Sequence, residues 1–382
     1  MKKITITQIS EKKIKAGNPL LQMEDFPNEL SFDEGELVEL VDSRQKFVAK
    51  AYLAKQNKGV GWVFSLDNAD SFNEAFFKKQ FEKAKRKRTD LQSDPETTTY
   101  RLFNAEGDGI PGVTIDHYDG FAVVSWYSEG IFRYQTAIIA AFQAVFPETK
   151  GIYEKFRYQR KDGLISRYVR GDAAPTPLIV KENGINYATY LDDGLMTGIF
   201  LDQREVRGAL TERYAAGKRV LNTFSYTGAF SVAAAMGGAI ETTSVDVANR
   251  SLERTKEQFA VNNLDEEKQK IFVMDVFDFI RYAIRKGLQY DVTIIDQFLN
   301  TFAAYIDSGF GLLRGEVAFL TATLIVIDMT IAGLYWAMSH ATGQGEDVIA
   351  KLLRKVLYVG AFASIIGHFN WLDGIVFRSF AG

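Results

Sequence analysis

The chain has 382 residues and a formal net charge of −3, so no global basic surplus draws it to nucleic acid, and any such contact has to come from local patches. It contains no cysteine, which excludes disulfides, thiolate metal sites and a cysteine nucleophile. Its three histidines, His117, His340 and His368, stand too far apart to suggest a metal site, and the N-terminal MKKITITQISEKKIKAG lacks the apolar stretch of a secretory signal, so the front of the chain is expected in the cytoplasm.

Over residues 1–70 the runs KITITQI, GELVELVD, KFVAKAYLA and GVGWVFS alternate apolar and polar positions and predict a small β-rich domain. Residues 73–91 predict an amphipathic helix, with Asn73 as N-cap and Phe76, Phe77, Phe81 and Ala84 near helical spacing. That helix carries Lys83, Lys85, Arg86, Lys87 and Arg88, a run that suits RNA phosphates or a merely solvated face. Lys12, Lys13 and Lys15 read in the same two ways. Residues 99–128 read as three strands joined by turns, with His117 in a structural position, followed by a helix over 130–145 and strands over 151–156 and 163–169. Pro175 and Pro177 mark a linker, and 178–191 reads as a hairpin turning at Glu182-Asn183-Gly184.

From residue 203 the rhythm becomes α/β. A helix over 203–215 precedes the strands KRVLNTFSY, ETTSVDV, KIFVMD and YDVTIID, separated by the helices GAFSVAAAMGG, NRSLERTKEQFAVNN and VFDFIRYAIRKG. Strands alternating with helices of this length predict a parallel, doubly wound sheet.

Carboxylates recur at the ends of these strands. Asp246 ends the second, where an acid can accept hydrogen bonds from both hydroxyls of a ribose. Asp275 ends the third, within reach of an adenine amino group, and Asp296 ends the fourth. Gly228, after the first strand, lets a ligand approach the backbone and opens a helix whose N-terminus suits a carboxylate or phosphate. Neither GxGxxG nor GxxxxGK[ST] occurs, so an adenosine cofactor without pyrophosphate, such as S-adenosylmethionine (SAM), fits better than a dinucleotide or a nucleoside triphosphate. The bland alternative is that Asp246 and Asp275 only cap the helices that follow them.

Residues 1–296 resemble an RlmI-like ribosomal RNA large subunit (cytosine-5) methyltransferase, a class I SAM-dependent enzyme. The strings KKIKAGNPLL and GELVELVD resemble its N-terminal PUA domain (1–70), and YRLFNAEGDGIPGVTIDHY its central α+β domain (71–191). TGIFLDQREVR and VLNTFSYTGAFSVAAA resemble the start of its SAM domain, here partial (192–297). The resemblance implies that Asp202 and Arg204 line the cofactor side, that Asn222 to Gly228 hold the methionine part, and that Asp246 meets the ribose and Asp275 the adenine. It also implies ribosomal RNA as partner and admits a homodimer.

The family continues its fourth strand as D-P-P-x-F, whereas Gln297-Phe298 follow Asp296 here and no proline occurs after Pro177. Methylation at cytosine C5 needs a nucleophile at C6, and the family's cysteine is missing, so no catalytic residue is assigned and an inactive or nearly inactive chain is expected. The family sheet has strand order 3-2-1-4-5-7-6, of which only strands 1–4 are supplied, and the fourth would become an edge.

Beyond the join the charge density halves, which predicts a different solvent: eleven of residues 298–382 are charged, against 82 of the first 297. Val317–Met338 holds one charge, Asp328, and is long enough to span a hydrocarbon core, with Tyr335 and Trp336 at its end as interfacial anchors. A weaker apolar stretch runs over 356–380. Residues 298–382 resemble the N-terminal part of a TrbL-type inner-membrane protein of conjugative secretion, which implies membrane helices and inner-membrane association. Lys351, Arg354 and Lys355 would hold the connection after the first span in the cytoplasm, and so put the residues before Val317 on the far side, in conflict with a cytoplasmic RNA enzyme. A natural secretion component and a chain joined without a common function both remain open.

Overall fold

The structure is a computed structural model that describes residues 1–56 and 59–294. The N-terminal sheet comprises β1 (Lys2–Thr5), β2 (Leu20–Leu21), β3 (Leu37–Val41), β4 (Phe47–Gln56) and β5 (Gly59–Ser65), in the order β1-β3-β4-β5-β2. Only the β1–β3 pair is parallel. The run KITITQI is not one strand: β1 ends at Thr5, and α1 (Gln8–Lys15) begins after Thr7, whose Oγ1 accepts from the Ser10 amide at 3.2 Å. The apolar alternation fails here because Ile6 and Ile14 are buried while Ile9 is 80% exposed.

The central unit packs helices on one mixed sheet. Its elements are α2 (Glu74–Lys87), α3 (Thr89–Ser93), β6 (Thr99–Asn104), α4 (Ala105–Asp108), β7 (Val113–Tyr118), β8 (Phe121–Trp126), α5 (Glu129–Phe132), α6 (Gln135–Val145), β9 (Gly151–Phe156) and β10 (Ser166–Gly171). The strand order is β10-β9-β8-β7-β6. Asn73 caps α2 as its sequence suggests, its side chain accepting from the Phe76 amide at 3.1 Å. Phe76, Phe77, Phe81 and Ala84 form the buried stripe of α2, and the Phe81 ring lies 4.8 Å from Phe103 and 5.7 Å from Phe142. Each such ring removed from water contributes about 1.5–3 kcal/mol. The helix expected over 130–145 is broken into α5 and α6 at Arg133-Tyr134, and the strand expected over 163–169 begins three residues later and ends at Gly171.

The hairpin of β11 (Leu178–Glu182) and β12 (Ile185–Thr189) turns on Asn183 and Gly184, with φ of 51° and 77°. Two successive positive φ values fit the twist of the flanking strands, and Asn-Gly supplies them at low cost. The open edge of β12 is covered by side-chain amides from the last unit. Gln258 bonds both the N–H and the C=O of Ala188, at 2.9 and 2.8 Å, and Asn262 does the same for Asn186, at 3.1 and 2.7 Å.

The last unit is the parallel α/β segment. It runs through α7 (Arg204–Ala209), a π-helical turn (Leu210–Tyr214), β13 (Arg219–Thr223), α8 (Ala229–Met236), β14 (Glu241–Asp246), α9 (Arg250–Ala260), β15 (Gln269–Val273), α10 (Val276–Lys286) and the short β16 (Val292–Thr293). The helix expected over 203–215 thus changes its winding at Leu210. The sheet order is β15-β14-β13-β16 with every pair parallel, which is the 3-2-1-4 arrangement in chain order. Among the described residues β16 is the end of this sheet. Asp296, the stretch from Gln297 onward and the apolar runs Val317–Met338 and 356–380 lie outside the described residues, and with them Asp328, Tyr335 and Trp336. Among the described residues no helix is long and apolar enough to cross a membrane.

Candidate cofactor site

In a parallel sheet the strand directions agree, so the ends of β13, β14 and β15 open on one crevice, and order reverses between β13 and β16, where ligands of such sheets bind. The turn after β13 is wound unusually tightly. Phe224, Tyr226 and Gly228 all have positive φ, at 55°, 55° and 77°. A bulky residue in the left-handed region costs about 1–2 kcal/mol, so the surroundings must hold it there. They do: the Tyr226 amide donates to Asp246 Oδ2 at 2.8 Å, the Ser225 amide to the Val245 carbonyl at 3.0 Å, and Thr227 Oγ1 to the Gly198 carbonyl at 2.6 Å.

Gly228 is required twice over. Its φ favours glycine, and a Cβ there would lie 2.6 Å from Thr255 Cγ2. It opens α8, and no side chain caps that helix, so the first amides of α8 are left for a ligand carboxylate. Asp246 does not cap α9, whose N-cap is Asn249. Its Oδ1 accepts from the Ala248 amide at 2.9 Å and its Oδ2 from Tyr226, so each oxygen keeps a further lone pair for a hydroxyl donor. Asp275 is an exposed N-cap of α10, with Oδ1 accepting from Phe277 and Asp278 at 2.8 and 3.2 Å, so the capping alternative describes its Oδ1.

Asn222 lies beneath this turn rather than on it. It is buried, and its Nδ2 donates to Ser231 Oγ at 3.0 Å, which contacts Ser244 Oγ at 2.7 Å. Asp202 is exposed in a short turn (Leu201–Gln203), and the Arg204 guanidinium is paired with Glu205, Nε to Oε1 at 3.1 Å. Gly228, Asp246 and Asp275 thus share the crevice end of the sheet, Asn222 supports it, and Asp296 lies outside the described residues. No group of three or more His, Asp or Glu able to hold a metal occurs among the described residues.

Most of the basic residues singled out for RNA are already engaged. Lys87 and Arg88 both bind the buried Asp108, at 2.9 and 2.6 Å. Burial pushes that carboxyl up, but the bonds from Arg88 and Lys87 outweigh it and hold its pKa below the usual range. Lys85 donates to the Val145 carbonyl at 2.9 Å and lies over the Phe146 ring. Lys13 pairs with Asp25 and Lys15 with Glu11. Lys12 and Arg86 are exposed and have no ion-pair partner among the described residues. His117 is structural as expected: it stacks on Tyr100 and accepts from the Gly120 amide, and burial lowers its pKa to about 4.

Sequence reasoning missed Lys155. Its side chain is fully buried on β9, Nζ donates to the Gly194 carbonyl, and burial, helped by neighbouring Arg157, lowers its pKa to about 8. Arg157 donates to the Leu195 carbonyl at 2.9 Å, and Arg254 pairs with Asp193 at 2.9 Å. The segment 192–196, which leads into Gly198 and the cofactor turn, is therefore pinned from two units. The charged pair Glu154-Lys155 inside the strand GIYEKF was the only signal in the sequence.

Three parts of the chain match known families. Residues 4–66 match a PUA-like domain, residues 134–308 an S-adenosylmethionine-dependent methyltransferase, and residues 325–382 a TrbL/VirB6 plasmid conjugal transfer protein. The change of family expected at 297–298 falls between 308 and 325 in these matches. A Bacillus subtilis protein named "Putative ribosomal RNA large subunit methyltransferase YwbD" is 48% identical over 300 residues, which cover 78% of this chain and 76% of that protein. The Klebsiella pneumoniae protein named "Ribosomal RNA large subunit methyltransferase I" is 35% identical over 266 residues, 69% of this chain and 66% of its own length. Of solved structures, "A putative sam-dependent methyltransferase from Streptococcus mutans" is 47% identical and superposes with a TM-score of 0.72, covering 77% of this chain and 76% of that one. Another, "a putative methyltransferase complexed with SAH", is 47% identical with a TM-score of 0.73, covering 77% and 75%.

Proposed function

Because the chain belongs to the S-adenosylmethionine-dependent ribosomal RNA large subunit methyltransferases, we propose that residues 1–294 bind SAM and ribosomal RNA but do not carry methyl transfer to completion. The observation that carries the cofactor reading is the pairing of Asp246 with the Tyr226 amide, which fixes a strained turn beside an acid placed for a ribose. Asp246 takes the ribose hydroxyls. The Phe224–Gly228 turn, supported from beneath by Asn222, and the uncapped start of α8 take the methionine carboxylate, Asp275 offers its free oxygen to the adenine amino group, and Asp202 and Arg204 border the cofactor.

Bound SAM supplies an activated methyl group. The protein's part is to hold it at the strand ends, to exclude water and to receive a base turned out of the RNA. Transfer to cytosine C5 further requires a nucleophile on C6, and a chain without cysteine offers no thiolate for it. Binding without turnover follows. Lys12 and Arg86 are the basic residues best placed for RNA phosphates, being exposed and uncommitted among the described residues. Incubation with methyl-tritiated SAM and large-subunit ribosomal RNA tests this directly: measurable SAM binding with no label above background is expected, and robust transfer sinks it.

A second reading rests on the match of residues 325–382 to a conjugal transfer protein. On it, the tail directs the chain to the inner membrane, or joins two families with no common function, while the front unit stays cytoplasmic. Fractionation separates the outcomes, since recovery wholly in the soluble fraction removes the membrane role. Sequencing the source DNA across 297–325 tests the join.

A further inference from the structure

Between the N-terminal sheet and the central sheet runs a groove of about 960 Å³, apart from the cofactor turn. Two of its lining groups lack hydrogen-bond partners among the described residues. Thr114 is 4% exposed, yet its Oγ1 has none; Glu34 Oε1 accepts from the Lys55 amide at 3.0 Å, but its buried Oε2 has none. They are two of eight buried side-chain oxygens without a partner among the described residues, and the two that lie on this groove, where polar capacity is left over beside open space. Lys55 and Arg157 also line it, both exposed and neither within 4.0 Å of a carboxylate among the described residues. Tyr127 and Tyr158 add two half-buried rings.

An unpaired carboxylate oxygen calls for a donor, a hydroxyl accepts either role, rings call for a flat face, and the two cations call for a phosphate. A nucleotide with an amino-bearing base has all four. Single-stranded RNA is read in this way, by bases splayed onto aromatic rings and bonded along their edges. The wall also touches the cofactor side of the fold: Arg157 holds the Leu195 carbonyl at 2.9 Å, in the segment leading to Gly198, whose carbonyl accepts from Thr227.

We propose that this groove holds an unstacked, amino-bearing nucleotide of the RNA, distinct from the base presented to the cofactor, with its amino group donating to Glu34 and its phosphate met by Lys55 or Arg157. The inference rests on the RNA reading above. It is tested by fluorescence anisotropy of the full chain with a short fluorescein-labelled single-stranded RNA of mixed sequence, and by calorimetric titration with S-adenosylhomocysteine. Thr114→Val and Tyr127→Ala are expected to weaken RNA binding about tenfold each, and Lys55→Glu at least as much, with S-adenosylhomocysteine affinity unchanged. Variants that bind RNA as the wild type does overturn the groove and leave the RNA reading intact. A wild type that binds no RNA overturns both. Should a variant fail to fold, photo-cross-linking of the wild type to RNA carrying 6-thioguanosine, which keeps an amino group on the base, decides: adducts on the peptides holding Tyr127 or Tyr158 support the site, and adducts confined elsewhere overturn it.

Discussion

Arg207 and Glu182 form a two-armed ion pair inside the protein, Nε to Oε1 at 2.7 Å and the second arm to Oε2 at 2.8 Å, with both side chains almost wholly buried. Arg207 also donates to the Phe200 carbonyl at 2.7 Å and lies over the Tyr187 and Phe230 rings. The pair ties the β11–β12 hairpin to α7, and so holds the SAM-binding unit against the rest. Removing one partner strands the other charge without water, which costs about 3–5 kcal/mol. Glu182→Ala and Arg207→Ala are each expected to lower the unfolding free energy measured in urea titration by that amount. The double substitution, which leaves no orphan charge, should cost less than the sum of the two.

Asp246 braces the strained turn on which the proposed cofactor site is built. Asp246→Asn keeps the size but gives up a charged acceptor for Tyr226, a loss of about 1.5–3 kcal/mol. S-adenosylhomocysteine affinity should therefore fall by about tenfold or more in calorimetric titration, with the unfolding midpoint moving less. Gly228→Ala, which drives a Cβ into Thr255, should abolish measurable binding.

Lys155 sets a pH dependence of stability. Burial lowers its pKa from 10.5 to about 8, so between those values the unfolded chain carries a proton that the folded chain has shed. The unfolded state then binds more protons, and stability rises with pH across that window. The penalty is complete below pH 8 and is relieved towards pH 10.5, by up to about 3 kcal/mol. Lys155→Met should flatten this part of the curve in urea titrations between pH 7 and 10.5, and an unchanged slope would show that the side chain does not titrate there.

The basic run on α2 should divide. Arg88→Ala leaves the buried Asp108 short of a partner, and is expected to lower stability by about 1–3 kcal/mol without altering the salt dependence of RNA binding. Arg86→Ala should leave stability unchanged and reduce the slope of log K against log salt by about one. Equal effects of the two on RNA binding would contradict this division.

Much of the fold is legible in the sequence because element type follows local periodicity. The stripe of Phe76, Phe77 and Phe81, the Asn183-Gly184 turn and the alternation of short strands with helices from residue 219 each state a period or a turn chemistry within a few residues. The failures have local causes too. KITITQI alternates, yet Thr7 and Ser10 offer a helix start that an alternation count passes over. Leu210 begins a π turn that no spacing announces.

The sequence by itself determined the parallel α/β unit, the acids at its strand ends, the glycine at the turn and the absence of a cysteine nucleophile, since each is a property of residue type at a position. Only the tertiary structure decided which charges are free. Lys87 and Arg88 look identical to Arg86 in the chain, but Asp108, twenty residues on, takes the first two. Asn222 looks like a ligand residue, but Ser231 and Ser244 claim it. The groove between the first two sheets exists only once both have folded, because its orphan atoms, Glu34 and Thr114, lie eighty positions apart. Partners are set by contacts distant in sequence, and those form only when packing brings the chain together.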